Sequence, residues 1–228
     1  MTTHHSDLRS MRSTARPTAG GERSDRVLQR DEHLFHEGSR LGQAYLVVAG
    51  VLKTYLLYEN GEEQVLDFHL PGDVIGLDAL TDEPSYCSAM ALDTSSVREL
   101  ELPDPEAALV SGGTDAALVL AGMHRAIRRL SRRLHMASTC TDQRLAGFLL
   151  EFAESQGRRG CSQRQLRLPM RRRDLACYLG LATETLSRTF TRLQQQGLIE
   201  VDNYDIVLLD QRGLQRVASA SPCQTRHH

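Results

Sequence analysis

At Gly112-Gly113 the chain changes its hydrophobic period, and no other feature constrains the fold as strongly. Before that point Gly38, Gly50, Gly61 and Gly72 recur 12, 11 and 11 residues apart. Short β-prone runs fill the intervals at 44–48, 51–58, 64–70 and 74–77, and two more follow at 88–92 and 96–102. Turn glycines at even spacing between short strands predict an antiparallel sandwich or barrel of about eight strands. Asn60-Gly61, between Tyr58-Glu59 and Glu62, is the strongest hairpin signal in this half. After Gly113 the apolar residues Ala116, Leu120, Met123, Ile127, Leu130, Leu134 and Ala137 step by 4, 3, 4, 3, 4 and 3. A heptad seam kept for three repeats predicts a long helix that pairs with a second copy of itself, with Leu120, Met123, Ile127, Leu130 and Leu134 at its centre. Arg125, Arg128, Arg129, Arg132 and Arg133 flank that seam.

The expected architecture is therefore α+β, in four parts. Residues 1–26, rich in Ser, Thr, Arg, Gly and His with no sustained apolar period, read as a mobile arm. Residues 27–110 form an antiparallel β-roll of the jelly-roll kind, 111–139 the dimerisation helix, and 140–228 a second domain. That domain begins with a helix from Thr141 to about Gln156 that turns Leu145, Phe148, Leu149 and Phe152 inward.

Charge separates the same two halves. Residues 1–119 hold 9 Lys and Arg against 20 Asp and Glu, whereas residues 120–228 hold 18 against 9. The near-neutral total of −2 thus conceals an acidic half joined to a basic one, and the basic half is the one suited to a polyanion. A single lysine, Lys53, stands among the 27 basic residues. The five cysteines are scattered, without a Cys-x-x-Cys pair, so neither a disulfide framework nor a zinc site is indicated. No apolar run is long enough to span a bilayer and the first residues contain no apolar core of a signal sequence; a cytoplasmic protein without membrane contact is expected.

The stretch from Met170 to Leu193 reads as helix, Gly180-centred turn, helix. Thr183 is expected to cap the second helix, with Glu184 at its positive end. At 100° per residue, Glu184, Ser187, Arg188 and Thr191 fall on one face, and Leu186, Phe190 and Leu193 on the opposite one. That is the plan of a recognition helix, whose polar side chains reach base edges while the apolar back seats it. Arg188 can donate twice to guanine, Glu184 can accept from cytosine N4, and Ser187 can reach a base or a phosphate. A competing expectation is that Glu184 and Arg188, at i and i+4, form an ordinary surface ion pair. Leu198–Val201 and Ile206–Leu209, on either side of Asp202-Asn203-Tyr204-Asp205, form a hairpin that would serve as a wing and favour DNA binding.

The order β-roll, long helix, winged helix-turn-helix resembles the Crp/Fnr superfamily of bacterial transcription regulators. The stretches Arg173-Asp174-Leu-Ala-Cys-Tyr-Leu-Gly-Leu-Ala-Thr-Glu184-Thr-Leu-Ser187-Arg188 and Gly61 to Leu80, containing Pro71-Gly72-Asp73, are similar to its Fnr branch. About 190 residues are covered, from about residue 30 onward. The resemblance implies a homodimer on double-stranded DNA with RNA polymerase as partner. It also implies an inverted repeat of TTGAT-like half-sites read by Glu184, Ser187 and Arg188, with Thr183, Thr191 and Arg173 as further DNA contacts, and activation of anaerobic, redox or nitrogen-related genes.

Two departures from the family bear on its signal. Oxygen-sensing members ligate a [4Fe-4S] cluster through cysteines clustered near the N-terminus, but no cysteine precedes Cys87 here. Members that bind cAMP clamp its phosphate with an Arg-Ser pair, where this chain has Tyr86-Cys87-Ser88. No cofactor is therefore expected, and Cys87 reads as a small buried filler. Haem, whose axial His or Cys ligands carry no reliable local signature, stays open within the alternative of a ligand- or haem-sensing regulator of the same fold. A cupin-type enzyme would need a His-x-His and further ligands. His33 and His36, three apart on a strand, are expected to face opposite ways, and His69 stands alone. No catalytic or metal site is predicted. Cys177 is expected to point away from the core toward DNA phosphates near Arg171, Arg172 and Arg173, as a redox-sensitive position.

Overall fold

The structure is a computed structural model that describes residues 25–80, 83–100, 114–136 and 139–220. Eight strands make the first unit: β1 (Arg26–Leu28), β2 (His33–Phe35), β3 (Ala44–Ala49), β4 (Leu52–Leu57), β5 (Glu63–His69), β6 (Val74–Ile75), β7 (Ser88–Ala91) and β8 (Ser95–Leu100). They pair into two antiparallel sheets, ordered β1-β8-β3-β6 and β2-β7-β4-β5. Leu28, Leu34, Phe35, Val47, Leu52, Ile75 and Val97 fill the space between them. The Asn60-Gly61 turn joins β4 to β5, with Gly61 at φ +79°, a left-handed conformation that glycine adopts without the Cβ penalty.

The arm expected over 1–26 gives way earlier than its composition suggested. Arg26 already pairs with Val97 across β1 and β8, and Asp25 accepts a hydrogen bond from Arg98 Nε at 2.8 Å. The rest of that segment lies outside the described residues. β1 and β2 are three residues each, too short to display a period. Beside β2, the expected divergence of His33 and His36 is also corrected. The strand ends at Phe35 behind a register irregularity, and the two rings stack with centroids 4.2 Å apart.

An irregularity in β5 decides what the roll presents outward. Thr54 pairs with Asp67 but Tyr55 with Val65, leaving Leu66 as an unpaired extra residue. Val65 and Phe68 can then share the outer face although they are three apart, and both join a core that lies outside the roll. On β4, Lys53 and Tyr55 share that outer face by simple alternation, the Lys53 ammonium lying 4.9 Å from the Tyr55 ring centroid.

Helix α1 (Thr114–Met136) crosses the roll where Gly122 meets Val74; a Cβ at 122 would lie 2.8 Å from the Val74 Cβ. Val119 packs beside it with Ala44, Val74 and Leu100. Three of the flanking arginines, spaced one turn apart, face the roll. Arg129 binds Asp67 at 2.8 Å and Asp73 at 2.9 Å, Arg125 lies 3.4 Å from Asp73, and Arg133 donates to the Leu66 carbonyl. The opposite stripe is open: Leu120, Ile127, Leu130 and Leu134 are each about 60–70% exposed and Met123 is 40% exposed.

The second unit contains α2 (Thr141–Gly157), β9 (Gln165–Arg167), α3 (Arg172–Leu179), α4 (Thr183–Gln195), β10 (Ile199–Asp202), β11 (Asp205–Leu208) and α5 (Gln211–Ser219). Leu145, Phe148, Leu149 and Phe152 of α2 are buried at its centre. The expected hairpin is present as β10 and β11, with Asn203 at φ 54° in its turn. A third strand, β9, extends it on the far edge; only Leu166 of its three residues is buried, which is why no apolar run marks it. This core is continuous with Val51, Val65, Phe68, Leu70 and Leu92 on the outside of the roll.

Candidate nucleic-acid interface

Helices α3 and α4 are joined by Gly180, whose left-handed φ and ψ of 64° and 41° end α3, and Leu181 N–H then donates to Ala176 O at 2.9 Å. Arg144 of α2 braces the corner by donating to the carbonyls of Leu179 and Gly180 at 3.1 and 3.3 Å. Leu186, Thr189, Phe190 and Leu193 are buried along the back of α4. Thr183, Glu184, Ser187, Arg188 and Thr191 lie together on its exposed front, and Arg173 is exposed on α3.

Local hydrogen bonds define the front in detail. Arg188 Nη2 donates to Glu184 Oε1 at 2.6 Å although the two side chains are 74% and 76% exposed. The Ser187 hydroxyl donates to Thr183 O and the Thr191 hydroxyl to Ser187 O, at 3.1 and 3.2 Å. Thr183 does not cap the helix as expected. Ala182 holds the cap position in extended conformation (φ −68°, ψ 146°), so Thr183 is already the first helical residue and the cap makes no side-chain hydrogen bond.

Two arginines whose partners the sequence does not show fix the recognition helix. Arg192, near its C-terminal end, grips Asp142 at 3.0 and 2.9 Å, tying α4 to the first turn of α2. Arg172 lies 3.9 Å over the Phe190 ring and donates to Asn203 O at 2.8 Å, linking α3, α4 and the wing. Their partners Phe190, Asn203 and Asp142 lie 18, 31 and 50 residues away along the chain, beyond the reach of helical periodicity.

Cys177 is corrected. Its sulfur accepts from Val65 N–H at 3.2 Å and faces Glu63 O at 3.5 Å, so it lies on the edge of β5 rather than toward the DNA-reading front. Helical angles alone turned it away from the core, but that side of α3 is covered by the roll, and Cys177 packs against the same core as Leu175 and Ala176. The redox role beside DNA loses its geometric basis.

A basic, winged helix-turn-helix with an exposed polar recognition face, behind a β-roll and a long helix, is the architecture of a DNA-binding transcription regulator. Residues 143–217 match the Crp-like helix-turn-helix domain and residues 25–109 the cyclic nucleotide-binding domain. The chain is 36% identical over 205 residues to the transcriptional activator protein FnrA of Stutzerimonas stutzeri, covering 86% of this chain and 81% of that one. With the transcriptional activator protein Anr of Pseudomonas aeruginosa the identity is 37% over 194 residues, covering 81% and 76%. The structure of FixK2 from Bradyrhizobium japonicum superposes with a TM-score of 0.71 at 30% identity, covering 88% of this chain and 99% of that one. The chain belongs to the Crp/Fnr family of transcription regulators, near its Fnr branch.

Proposed function

We propose that this regulator acts in the cytoplasm as a homodimer on an inverted repeat of TTGAT-like half-sites, activating anaerobic, redox or nitrogen-related genes together with RNA polymerase. The observation that carries this reading is the front of α4, where Glu184, Ser187 and Arg188 stand exposed on a helix whose back is buried. Thr183, Thr191 and Arg173 border them as further DNA contacts. The Glu184–Arg188 pair orients the guanidinium before contact, so both groups can be redirected to bases at small cost. The exposed stripe of Leu120, Met123, Ile127, Leu130 and Leu134 supports pairing of two α1 helices, and the reading keeps the division into 27–110, 111–139 and 140–228. Arg188→Ala should weaken binding to the inverted repeat by about 1 to 3 kcal/mol in a gel-shift titration. An equal loss on scrambled DNA would reduce Arg188 to a phosphate contact. Ile127→Glu should sediment as monomer and bind the operator weakly; a wild-type dimer would remove the seam.

Neither the iron–sulfur cluster nor the cyclic nucleotide of related proteins suits the residues present, which favours binding without either. The sequence has no cysteine before Cys87, and Cys87 is buried in the core of the roll, so the clustered thiolates of a four-cysteine site are lacking there. The cavity between the roll and α1, about 380 Å³, has Tyr86 and Cys87 on its wall, with Asp78 and Asp67, while Arg129 is engaged by Asp67 and Asp73. A cyclic phosphate would meet carboxylates there. The same cavity supports a second reading, a ligand- or haem-sensing regulator, because the ring nitrogen Nδ1 of buried His69 has no partner while Nε2 meets Thr54 Oγ1 at 3.0 Å. An absorption spectrum of protein purified anaerobically separates haem, iron–sulfur and chromophore-free outcomes.

A further inference from the structure

The DNA-reading domain does not hang from the roll by its linker alone. Helix α3 rests on the outer face of β4 and β5, and the polar groups it buries there are few and specific. Lys53 is 2% exposed and is the chain's only lysine. Its ammonium binds Glu63 on the neighbouring strand and lies 3.5 Å from Asp174 in the first turn of α3. Asp174 is itself 7% exposed. A protein that places arginine at every other cationic position uses here the one side chain with a compact, freely turning ammonium, able to serve two carboxylates from different directions.

Neighbouring contacts extend this attachment. The Cys177 sulfur covers the free edge of β5 at Val65 N–H and Glu63 O. Tyr178 packs between Phe68 of the roll and Phe148 of α2, with ring centroids 5.0 and 5.8 Å away, while Arg133 of α1 lies 4.8 Å over its face. At the rim Arg171 reaches Asp31 at 3.5 Å and Arg30 donates to Pro169 O at 3.4 Å. Rim pairs of this kind are exposed and weak; the Lys53 cluster is the buried one, and an unmatched charge left there would be costly.

We propose that Lys53 is a positioning residue for DNA recognition: through Asp174 it locks helix α3, and with it the recognition helix, at a fixed orientation on the β-roll. The consequence for DNA rests on the operator reading given above. In a dimer the distance between two recognition helices depends on the α1 seam and on how each head sits on its own roll. A fixed head makes the protein selective for one half-site spacing.

The test uses full-length protein and two independent readouts. In the first, cysteine alkylation by iodoacetamide is followed by peptide mass spectrometry. Lys53→Met should raise the labelling rate of Cys177 by about tenfold or more, because undocking uncovers its sulfur, while buried Cys87 stays unlabelled and reports an intact roll. If Cys87 is labelled too, Asp174→Asn replaces it, with the same expectation for Cys177. Labelling at the wild-type rate in the intact variant overturns the proposal. In the second readout, gel shifts on inverted repeats with spacers one base pair shorter, correct and one longer should show a flatter preference in the variant. Undocking with an unchanged spacer preference also overturns it. Should wild type bind no inverted repeat, the operator reading fails, and the labelling result alone decides whether Lys53 holds the head.

Discussion

Two ion pairs of the same residue classes, one on each helix of the helix-turn-helix, serve opposite ends. Glu184 and Arg188 meet at 2.6 Å on the front of α4, both about three-quarters exposed. Lys53 and Asp174 meet at 3.5 Å between the roll and α3, with side chains 3% and 10% exposed. In water the first pair contributes only ~0.3 to 0.5 kcal/mol, since the Coulomb gain is screened and two long side chains lose freedom. The second has already lost its water, so removing one partner strands a charge that the interface cannot solvate. Burial, not distance, separates a pair that can be exchanged for DNA from one that holds two domains together.

The two pairs differ most at Lys53. Lys53→Ala removes the cation from Asp174 and Glu63 and leaves a hole beside Tyr55, so urea denaturation should show a loss of about 3 kcal/mol, the lower end for a broken buried pair because Glu63 is 34% exposed and can turn to water. A loss under about 1 kcal/mol would mean the interface admits water and the pair behaves as a surface one.

How much of this was legible beforehand depends on whether a signal is local. Turn glycines marked the roll because a positive φ must be met at one position, and Gly38, Gly50, Gly61 and Gly72 all adopt φ between 78° and 94°. The face of α4 was legible because a helix converts spacing into direction. Cys177, Arg172, Arg192 and Lys53 were not, since what they touch is set by elements far along the chain. For Cys177 the helical wheel left an outward side chain, because it could not show that β5 and the core beside it occupy that side. The three-residue strands β1, β2 and β9 owe their existence to pairing partners, which no local pattern records.

Titration sharpens the contrast on the roll's own buried polar group. Burial holds the His69 imidazole below its ordinary value, Asp67 and Asp73 opposing and Arg129 reinforcing that effect. With the folded value depressed, the unfolded chain binds the proton first as the medium acidifies. The stability that neutral His69 supports is therefore present above the unfolded pKa of about 6.5 and is lost as pH falls through the interval down to the folded one. His33, lowered by burial and by the charge of His36, acts in the same direction with more solvent access. Urea midpoints should fall between about pH 7.5 and about pH 5.5, and His69→Gln should fall less over that range. An identical fall in the variant would assign the acid sensitivity elsewhere.

The smallest expected effect is the most discriminating. Arg188→Ala removes the cation from Glu184, yet Glu184 keeps its water and occupies the first turn of α4, where the helix dipole favours a negative charge. The unfolding free energy from urea denaturation should therefore stay within about 0.5 kcal/mol of wild type, while the same protein loses two to six times that in operator affinity. Ser187 and Thr191 return their hydroxyls to backbone carbonyls one turn back, so no buried group loses a partner when Arg188 is shortened. A stability loss as large as the binding loss would place Arg188 in the fold of α4 rather than on its reading face, and the two ion pairs would then differ in degree rather than in kind.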